Sequence, residues 1–453
     1  MQSINQSDDA AAPISFRAAW LFWLKLGFIS FGGPAGQISI MHQELVERRR
    51  WISERRFLHA LNYCMVLPRP EAQQLATYIG WLMHRTRGGI VAGALFVLPS
   101  LLILIALSWL YVAYSQVPVV AGILYGIKPA VTAIVVQATY RIGSRTLNNP
   151  LLWSVAVAAF AAMFALHVPF PLIVIAAAIV GYAGGRIAPK SFQVGSGHGE
   201  ARKSAGPAVI DDDTPTPSHA VFSASRTLKI LAVGAALWLL PMVLLTSLLG
   251  WQHTLTQMGW FFTKAALLTF GGAYAVLPYV YQGAVLQYQW LTPAQMIDGL
   301  ALGETTPGPL IMVVAIVGFI GGSVSADVQT LFGDNGMFLG AAAAAALVTW
   351  FTFLPSFLFI FAGGPLVETT HNDLKFTAPL TAITAAVVGV ILNLALFFGY
   401  HVLWPQGIGG QFDWISAAMT LAAVAALFWF KRTVVQVIIA SAVVGLLVRL
   451  LLA

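Results

Sequence analysis

The chain is a succession of apolar runs, most of them long enough to cross a bilayer, joined by short polar loops. A spanning helix needs about 20 apolar residues. Backbone polar groups in hydrocarbon must find partners within the protein, which leaves helices or closed barrels. Runs of this length therefore point to an all-α polytopic membrane protein. Composition agrees: 58% of the 453 residues are hydrophobic and 9% are charged, against roughly 25% charged in soluble domains. A soluble chain with this balance would expose large apolar patches. The single cysteine, Cys64, excludes an internal disulfide and a cysteine-based metal site. The net charge of +7 sits in short loops, which reads as topology rather than as nucleic-acid binding. The polar stretch 1–15 lacks a basic region followed by a cleavage site, so no cleaved signal peptide is expected.

Four runs are interrupted. Run 16–45 breaks at Phe31-Gly32-Gly33-Pro34 and 57–83 at Leu67-Pro68-Arg69-Pro70. Run 259–286 breaks at Phe270-Gly271-Gly272 and 294–320 at Thr306-Pro307-Gly308-Pro309. The others are continuous: 88–115, 118–140, 150–166, 171–185, 227–250, 336–362, 376–402, 414–430 and 434–452. The pattern repeats at an offset of 239 residues, where Lys25 falls on Lys264, Phe31-Gly32-Gly33 on Phe270-Gly271-Gly272, Trp51 on Trp290, and Pro68 and Pro70 on Pro307 and Pro309. Further on, Phe96-Val97-Leu98-Pro99-Ser100 resembles Phe353-Leu354-Pro355-Ser356. The expected organisation is a polar tail (1–15), a first repeat (16–186), a flexible linker (187–226), a connecting transmembrane helix (227–250) and a second repeat (251–453). The linker carries Ser, Gly, Pro and Asp211-Asp212-Asp213, too little apolar surface to order itself.

Lys and Arg divide 18 against 6 at residue 226. First-half positives gather in loops at 48–56, at Arg85 and Arg87, and at Arg141 and Arg145. The matching second-half loops, 287–289 and 323–335, carry none. Short-loop positives mark the cytoplasm, so equivalent loops are expected on opposite sides: an inverted-topology repeat. One layout fits. The interrupted runs are re-entrant hairpins, the tail and linker are cytoplasmic, and run 227–250 flips the second half. The alternative is that the interrupted runs span fully as broken helices.

Irregular backbone at membrane depth must be buried in protein or line a wet cavity. Repeat-related breaks therefore suggest one shared cavity. Hairpin tips expose the N–H groups that begin a helix, and these favour an anion. Gly32, Gly33, Gly271 and Gly272 would let backbone approach a ligand, or would serve helix packing alone. Lys25 and Lys264 sit within apolar runs, where a cation costs roughly 3 kcal/mol unless it meets a partner or a pathway. Snorkelling to the surface is the plainer reading of Lys25. Lys128 is a weaker third candidate with no repeat mate. Only Glu71, Asp298 and Glu304 among the carboxylates lie within apolar segments. Glu71 follows Pro70 and suits first-turn capping. Glu304 suits proton exchange or an ion pair with Lys264. Gln73, Gln74, Tyr78, Thr305 and Thr306 are neutral donors near the tips. No enzyme signature is present, and no cofactor or resident metal is expected.

At this point the motifs carry a family. Leu26-Gly27-Phe28-Ile29-Ser30-Phe31-Gly32-Gly33-Pro34, Pro68-Arg69-Pro70-Glu71-Ala72-Gln73-Gln74-Leu75-Ala76, and Phe270-Gly271-Gly272 with Gly303-Glu304-Thr305-Thr306-Pro307-Gly308-Pro309 together resemble the long-chain chromate ion transporters. The resemblance implies an inner-membrane protein of two antiparallel halves. It implies export of chromate, with sulfate as a similar tetrahedral dianion, driven by the proton-motive force. Expected partners are that oxyanion and the lipid bilayer, with a homodimer left open and nucleic acid excluded. Other anion substrates, or an uncoupled anion channel, stay open beside it. Where the family reads Pro-Gly-Pro in the first half, this chain has Pro68-Arg69-Pro70. An arginine at such a tip needs an anion or Glu71 beside it, and it could bind a dianion in bidentate fashion or block the site.

Overall fold

The computed structural model describes residues 14–452 except 69, 193–207, 216, 271–272, 370–376 and 408. Apart from one isolated β-bridge between Ile52 and Ile210, all regular structure among the described residues is helical.

Each interrupted run is a pair of short helices. In the first unit α1 (Phe16–Ile29) turns at Gly32 and Gly33 into α2 (Gly33–His42), which loosens into a π turn (Gln43–Arg48). Helix α3 (Glu54–Val66) turns past Pro68 and Pro70 into α4 (Glu71–Tyr114). Helix α4 breaks at His84 and Arg85, the latter at φ 55°, which sets off a first limb, 71–83, from a long second one. Then come α5 (Pro118–Thr146), α6 (Pro150–Phe164), α7 (Phe170–Ile187) and the connecting α8 (Ala224–Leu249). The second unit has α9 (Thr254–Leu268), then a 3-10 turn (Ala273–Ala275), α10 (Val276–Val280) and another π turn (Tyr281–Gln287). Next are α11 (Pro293–Thr305), a 3-10 turn (Leu310–Met312), α12 (Val313–Val324) and the short α13 (Ala326–Leu331). Helices α14 (Gly336–Thr369), α15 (Thr377–Leu403), α16 (Trp414–Phe428) and α17 (Val434–Leu452) complete the chain. The element order recurs: shifted by 239, α3 lands on α11 end to end, and the first π turn lands on the second.

Local chemistry explains these limits. Ser15 accepts from the Ala18 N–H to start α1, and Thr292 with Gln295 forms a capping box for α11, with Pro293 in its first turn. The limbs α1, α3, α9 and α11 have 13 to 15 residues. At about 1.5 Å per residue each is about 20 Å long, short of the roughly 30 Å hydrocarbon core. Among the described residues seven helices are long and apolar enough to cross a membrane: α4, α5, α7, α8, α14, α15 and α17. Helices α6 and α16, expected as full crossings, have only 15 residues each, about 22 Å by the same rise.

Two large apolar cores and a small third around Leu152, Phe192, Ala382 and Ala385 hold the fold. One gathers α1, α3 and the first limb of α4, with Ile360 and Phe361 of α14 inserted from the second unit. The other joins α5 and the second limb of α4 to α9–α12 and α14–α17. Ala19, Phe22, Trp23 and Leu26 make the buried stripe of α1, at helical spacing, and α1 packs mainly on α4. Helix α5 packs most closely on α17, where a Cβ on Gly126 would lie 2.0 Å from the Ser441 carbonyl. Only a glycine permits that approach, as in small-residue packing within membranes. Helix α8 buries only Gly234 and Met242, so most of its apolar surface faces outward.

Residues 208–215 and 217–223 of the linker take their order from the first unit. Val209 and Ile210 N–H groups donate to Arg50 and Trp51 carbonyls at 3.0 and 3.1 Å. Ser53 Oγ donates to Asp212 at 2.6 Å, and His219 bonds the Trp81 carbonyl at 2.8 Å. The same face holds the end of α14, where Glu368 lies 3.8 Å from Arg56. The opposite end of α14 packs on α13, and a Cβ on Gly336 would lie 2.0 Å from the Gln329 carbonyl. Loops 48–56 and 325–335 therefore lie at opposite ends of one 34-residue helix, about 50 Å apart by its rise.

Candidate functional site

The breaks of the two units meet. Helix α1 ends at Ile29, and Gly32 and Gly33 take φ 87° and 68°. That is left-handed backbone, which side chains with a Cβ avoid. In the second unit α11 ends at Thr305, and Gly308 takes φ 103°. The Gly308 N–H donates to the Ser30 carbonyl at 2.8 Å. Gln37 Nε2 donates both to the Gly308 carbonyl and, at 3.3 Å, to that of Ser30. Ser100 of α4 lies against the tip: a Cβ on Gly308 would sit 2.7 Å from Ser100 Cβ. Ser30, Gln37, Ser100, Pro307, Gly308 and Pro309 are all buried. Gln37 Oε1 and Ser100 Oγ have no hydrogen-bond partner. The junction is thus closed, and the Gly308 N–H is committed to Ser30 rather than turned to a ligand.

The neighbouring tip of the first unit is also buried and polar. Pro68 and Pro70 are buried, and Glu71 opens α4 in its first turn, where the helix N-terminus favours an acid. Gln73 and Gln74 are wholly buried. Gln74 Nε2 donates to the Pro68 carbonyl. Gln73 Nε2 donates to Thr77 Oγ1 at 3.0 Å. The Oε1 atoms of both have no partner. Tyr78, one turn further, donates to Glu368 of α14, a second link between the units.

The charged candidates fall in different places. Glu304 accepts from Tyr274 Oη at 2.6 Å, and the Arg141 guanidinium on α5 is near enough for its charge to act on it. Lys264 is not its partner: its Nζ lies 5.6 Å over the Trp260 ring, a cation–π contact. Lys25 is exposed, off the buried stripe of α1. Phe31 is exposed and Phe270 half-buried. Thr305 and Thr306 donate back to Leu302 and Gly303 carbonyls at 2.9 and 3.0 Å, so these hydroxyls finish α11. Arg69, Gly271 and Gly272 lie outside the described residues.

The chain fits one family model, that of the chromate transporter, twice over, at residues 17–182 and 256–446. It belongs to the chromate transporter family. The two matched regions coincide with the two helical units, and they leave out the linker and all of α8. The chain is 29% identical to a chromate transport protein of Cupriavidus metallidurans over 438 residues, covering 96% of this chain and 94% of that one. It is 30% identical to a chromate transport protein of Pseudomonas aeruginosa over 453 residues, covering 96% and 93%. An uncharacterized transporter of Bacillus subtilis is 30% identical over 116 residues, 26% of this chain and 65% of that one. No solved structure matches the chain.

Sequence reasoning within this family frame missed several residues. Gln37 lies in the apolar-looking start of α2, and nothing in its neighbours announces that it clasps Gly308. Ser100 is one serine in a 44-residue helix. Lys128 and Asp298 were noted separately, yet they form a pair: Nζ lies 3.6 Å from Oδ2, and Tyr111 donates to the same oxygen at 3.0 Å. The available signal was that each is an isolated charge in an apolar run. Sequence offered no way to join residues 170 positions apart.

Proposed function

We propose that this chain is a secondary active transporter that exports chromate across the inner membrane of a bacterium, coupled to the proton-motive force, and thereby confers chromate resistance. The carrying observation is the contact between Gly308 of one unit and Ser30 and Gln37 of the other. Two breaks at membrane depth meet at a polar seam, and moving one unit against the other must open it. Family membership names the substrate class. Sulfate, also a tetrahedral dianion, would compete.

The topology in this reading is inverted, with the N-terminus and linker cytoplasmic. Two observations support it. Loops 48–56 and 325–335 lie at opposite ends of α14. The first holds five arginines, the second no Lys or Arg. In the closed seam the dianion has no room. When the units part, the tip N–H groups, Gln37, Gln73, Gln74 and Ser100 become available to replace its hydration shell, with Arg69, Lys25 and Lys264 supplying positive charge. Backbone and amide donors hold a dianion without neutralising it, which keeps binding reversible. Glu71 and Glu304 are the carboxylates that the tip motifs offer for the proton.

The deciding experiment is chromate flux in proteoliposomes with and without an imposed pH gradient. The reading requires saturable flux that rises with the gradient and falls on adding sulfate. Flux indifferent to the gradient would make the protein an uncoupled channel. Absence of chromate flux, with sulfate or molybdate carried instead, would reassign the substrate.

A further inference from the structure

Lys128, Tyr111 and Asp298 have no task in the reading above. Asp298 is on α11, in the second unit, and only 3% exposed. Both its partners come from the first unit. Tyr111 of α4 donates to Oδ2 at 3.0 Å, and Lys128 Nζ of α5 lies 3.6 Å from that oxygen. Oδ1 is buried and has no hydrogen-bond partner. An ionised carboxylate offers about four acceptor directions. This one is served at one oxygen and left bare at the other.

We infer that Asp298 takes up and releases the coupling proton, and that Lys128 is its counter-ion across the interface. This rests on the reading of the chain as a proton-coupled carrier with two moving units. The reasoning is geometric. At rest Asp298 is an ion paired with Lys128. When the α11 limb shifts against α4 and α5, Tyr111 and Lys128 withdraw together, because neither is carried by α11. A buried carboxylate without a cation is strongly disfavoured. A proton from the aqueous phase then open bonds to Oδ1 and cancels the charge. On closure Lys128 returns, the O–H bond breaks, and the proton leaves to the other aqueous phase. One proton is gained and one lost per cycle, with no further reactant.

Glu304, six residues on, is the natural rival. Its hydrogen bond comes from Tyr274 of its own unit and survives the parting. The other elements packed on α11 bring no competing charge to Asp298. Helix α12 has no ionisable side chain. The cation of α17, Arg449, lies with Tyr125 and Asp413. On α15 His401 bonds the Phe397 carbonyl and Tyr400 stacks on Trp404. In the second π turn Tyr281 packs on Phe397, and Tyr288 beyond it on Trp290. Arg141, on α5 with Lys128, acts on Glu304.

The test uses the full chain in proteoliposomes, with chromate as probe and two assays. One is exchange of chromate across the membrane at equal pH. The other is accumulation driven by a pH gradient. A gradient of one unit carried by one proton supports about tenfold accumulation. Asp298→Asn is expected to keep exchange within about threefold, less than one pKa unit's worth of free energy, and to lose gradient-driven accumulation. Lys128→Gln, which leaves the carboxylate without its cation, should do the same. Asp298→Glu should keep accumulation with a displaced pH midpoint. Accumulation retained in Asp298→Asn overturns the inference. If Asp298→Asn abolishes exchange as well, Asp298→Glu decides: a displaced midpoint supports the inference, an unmoved one overturns it. Wild-type protein that exchanges chromate and ignores the gradient refutes proton coupling. Wild-type protein that does not exchange chromate refutes the substrate reading instead.

Discussion

Gly308→Ala tests the seam directly. At φ 103° a residue with a Cβ is strained by about 1–2 kcal/mol. The new methyl would also lie 2.7 Å from Ser100 Cβ and 3.0 Å from its Oγ. Ser100 is wholly buried on a long helix, so relief must come from moving the tip. Overpacking of this kind costs about 1–3 kcal/mol. The displaced tip loses its bonds to Ser30 and Gln37, each worth about 1 kcal/mol. The total is about 4–7 kcal/mol. Gly33→Ala is the internal control: φ is 68° and nothing lies within 4 Å of its added Cβ, so strain alone remains, about 1–2 kcal/mol. Denaturant unfolding of the purified protein should rank the two accordingly, and chromate uptake by everted vesicles should fall more in Gly308→Ala. Ser100→Gly in the Gly308→Ala background removes the clashing atoms and should recover at least about 1 kcal/mol in a double-mutant cycle. Equal stability of the two alanine variants, with no recovery from Ser100→Gly, would refute the close approach.

Other consequences are measurable. Tyr274→Phe removes a 2.6 Å bond to Glu304 and should cost about 1–3 kcal/mol of stability by the same unfolding assay. Asp327 caps α9 by accepting from the Thr254 N–H at 2.7 Å. Partial burial works to raise its pKa, but the Thr254 N–H and hydroxyl and nearby His253 outweigh that and hold it below 3.8. The stability it adds is therefore present above 3.8 and lost as pH falls through the folded value. Asp327→Asn should cost no more than about 1 kcal/mol at neutral pH after solvent screening, and the difference should vanish in acid. His219 is held below 6.5 by burial and by Arg85 and Arg226, against the Trp81 carbonyl, which favours its charged form. Docking of 217–223 should thus be complete above 6.5 and weaken as pH falls below it. Hydrogen exchange in that segment should rise over this range in wild type but not in His219→Gln.

The breaks were legible because glycine and proline leave a helix few options. Gly308 and Gly32 stand where their positive φ values require them, and the 239-residue offset could be read from their spacing. The short helices beside each break followed from the lengths between breaks. Environments did not follow. Lys25 and Lys264 share a register, yet one is exposed and the other lies over Trp260, because a repeat copies the backbone path and not the neighbours. The Glu304 partner was misjudged for the same reason: Tyr274 stands where the first unit has Ala35. The π turns leave no mark in composition, since an extra backbone residue per turn changes no residue type. The linker's composition speaks only of a core of its own and not of docking on a neighbour. Its order comes from backbone bonds to Arg50 and Trp51 and from Ile210 and Ala220 filling a surface already built.

The two units are alike in path and unlike in equipment, and that difference bears on mechanism. Glu71, Gln73, Gln74 and Thr77 of the first unit correspond, at the common offset, to Leu310, Met312, Val313 and Ile316. Conversely Asp298 and Glu304 of the second unit correspond to His59 and Met65. The amide donors, with the buried acid Glu71, therefore sit on the first unit, and Asp298 and Glu304 on the second. Beside the apolar cores that the units share, Gly308 with Ser30, Asp298 with Lys128, and Glu368 with Tyr78 and Arg56 join them by polar contacts, and polar contacts can trade their partners for water or a ligand when the seam opens. An apolar seam would have no such exchange available and would pay for opening in exposed surface alone. In the proposed cycle, the polar contacts between two similar scaffolds tie substrate, proton and movement to one interface.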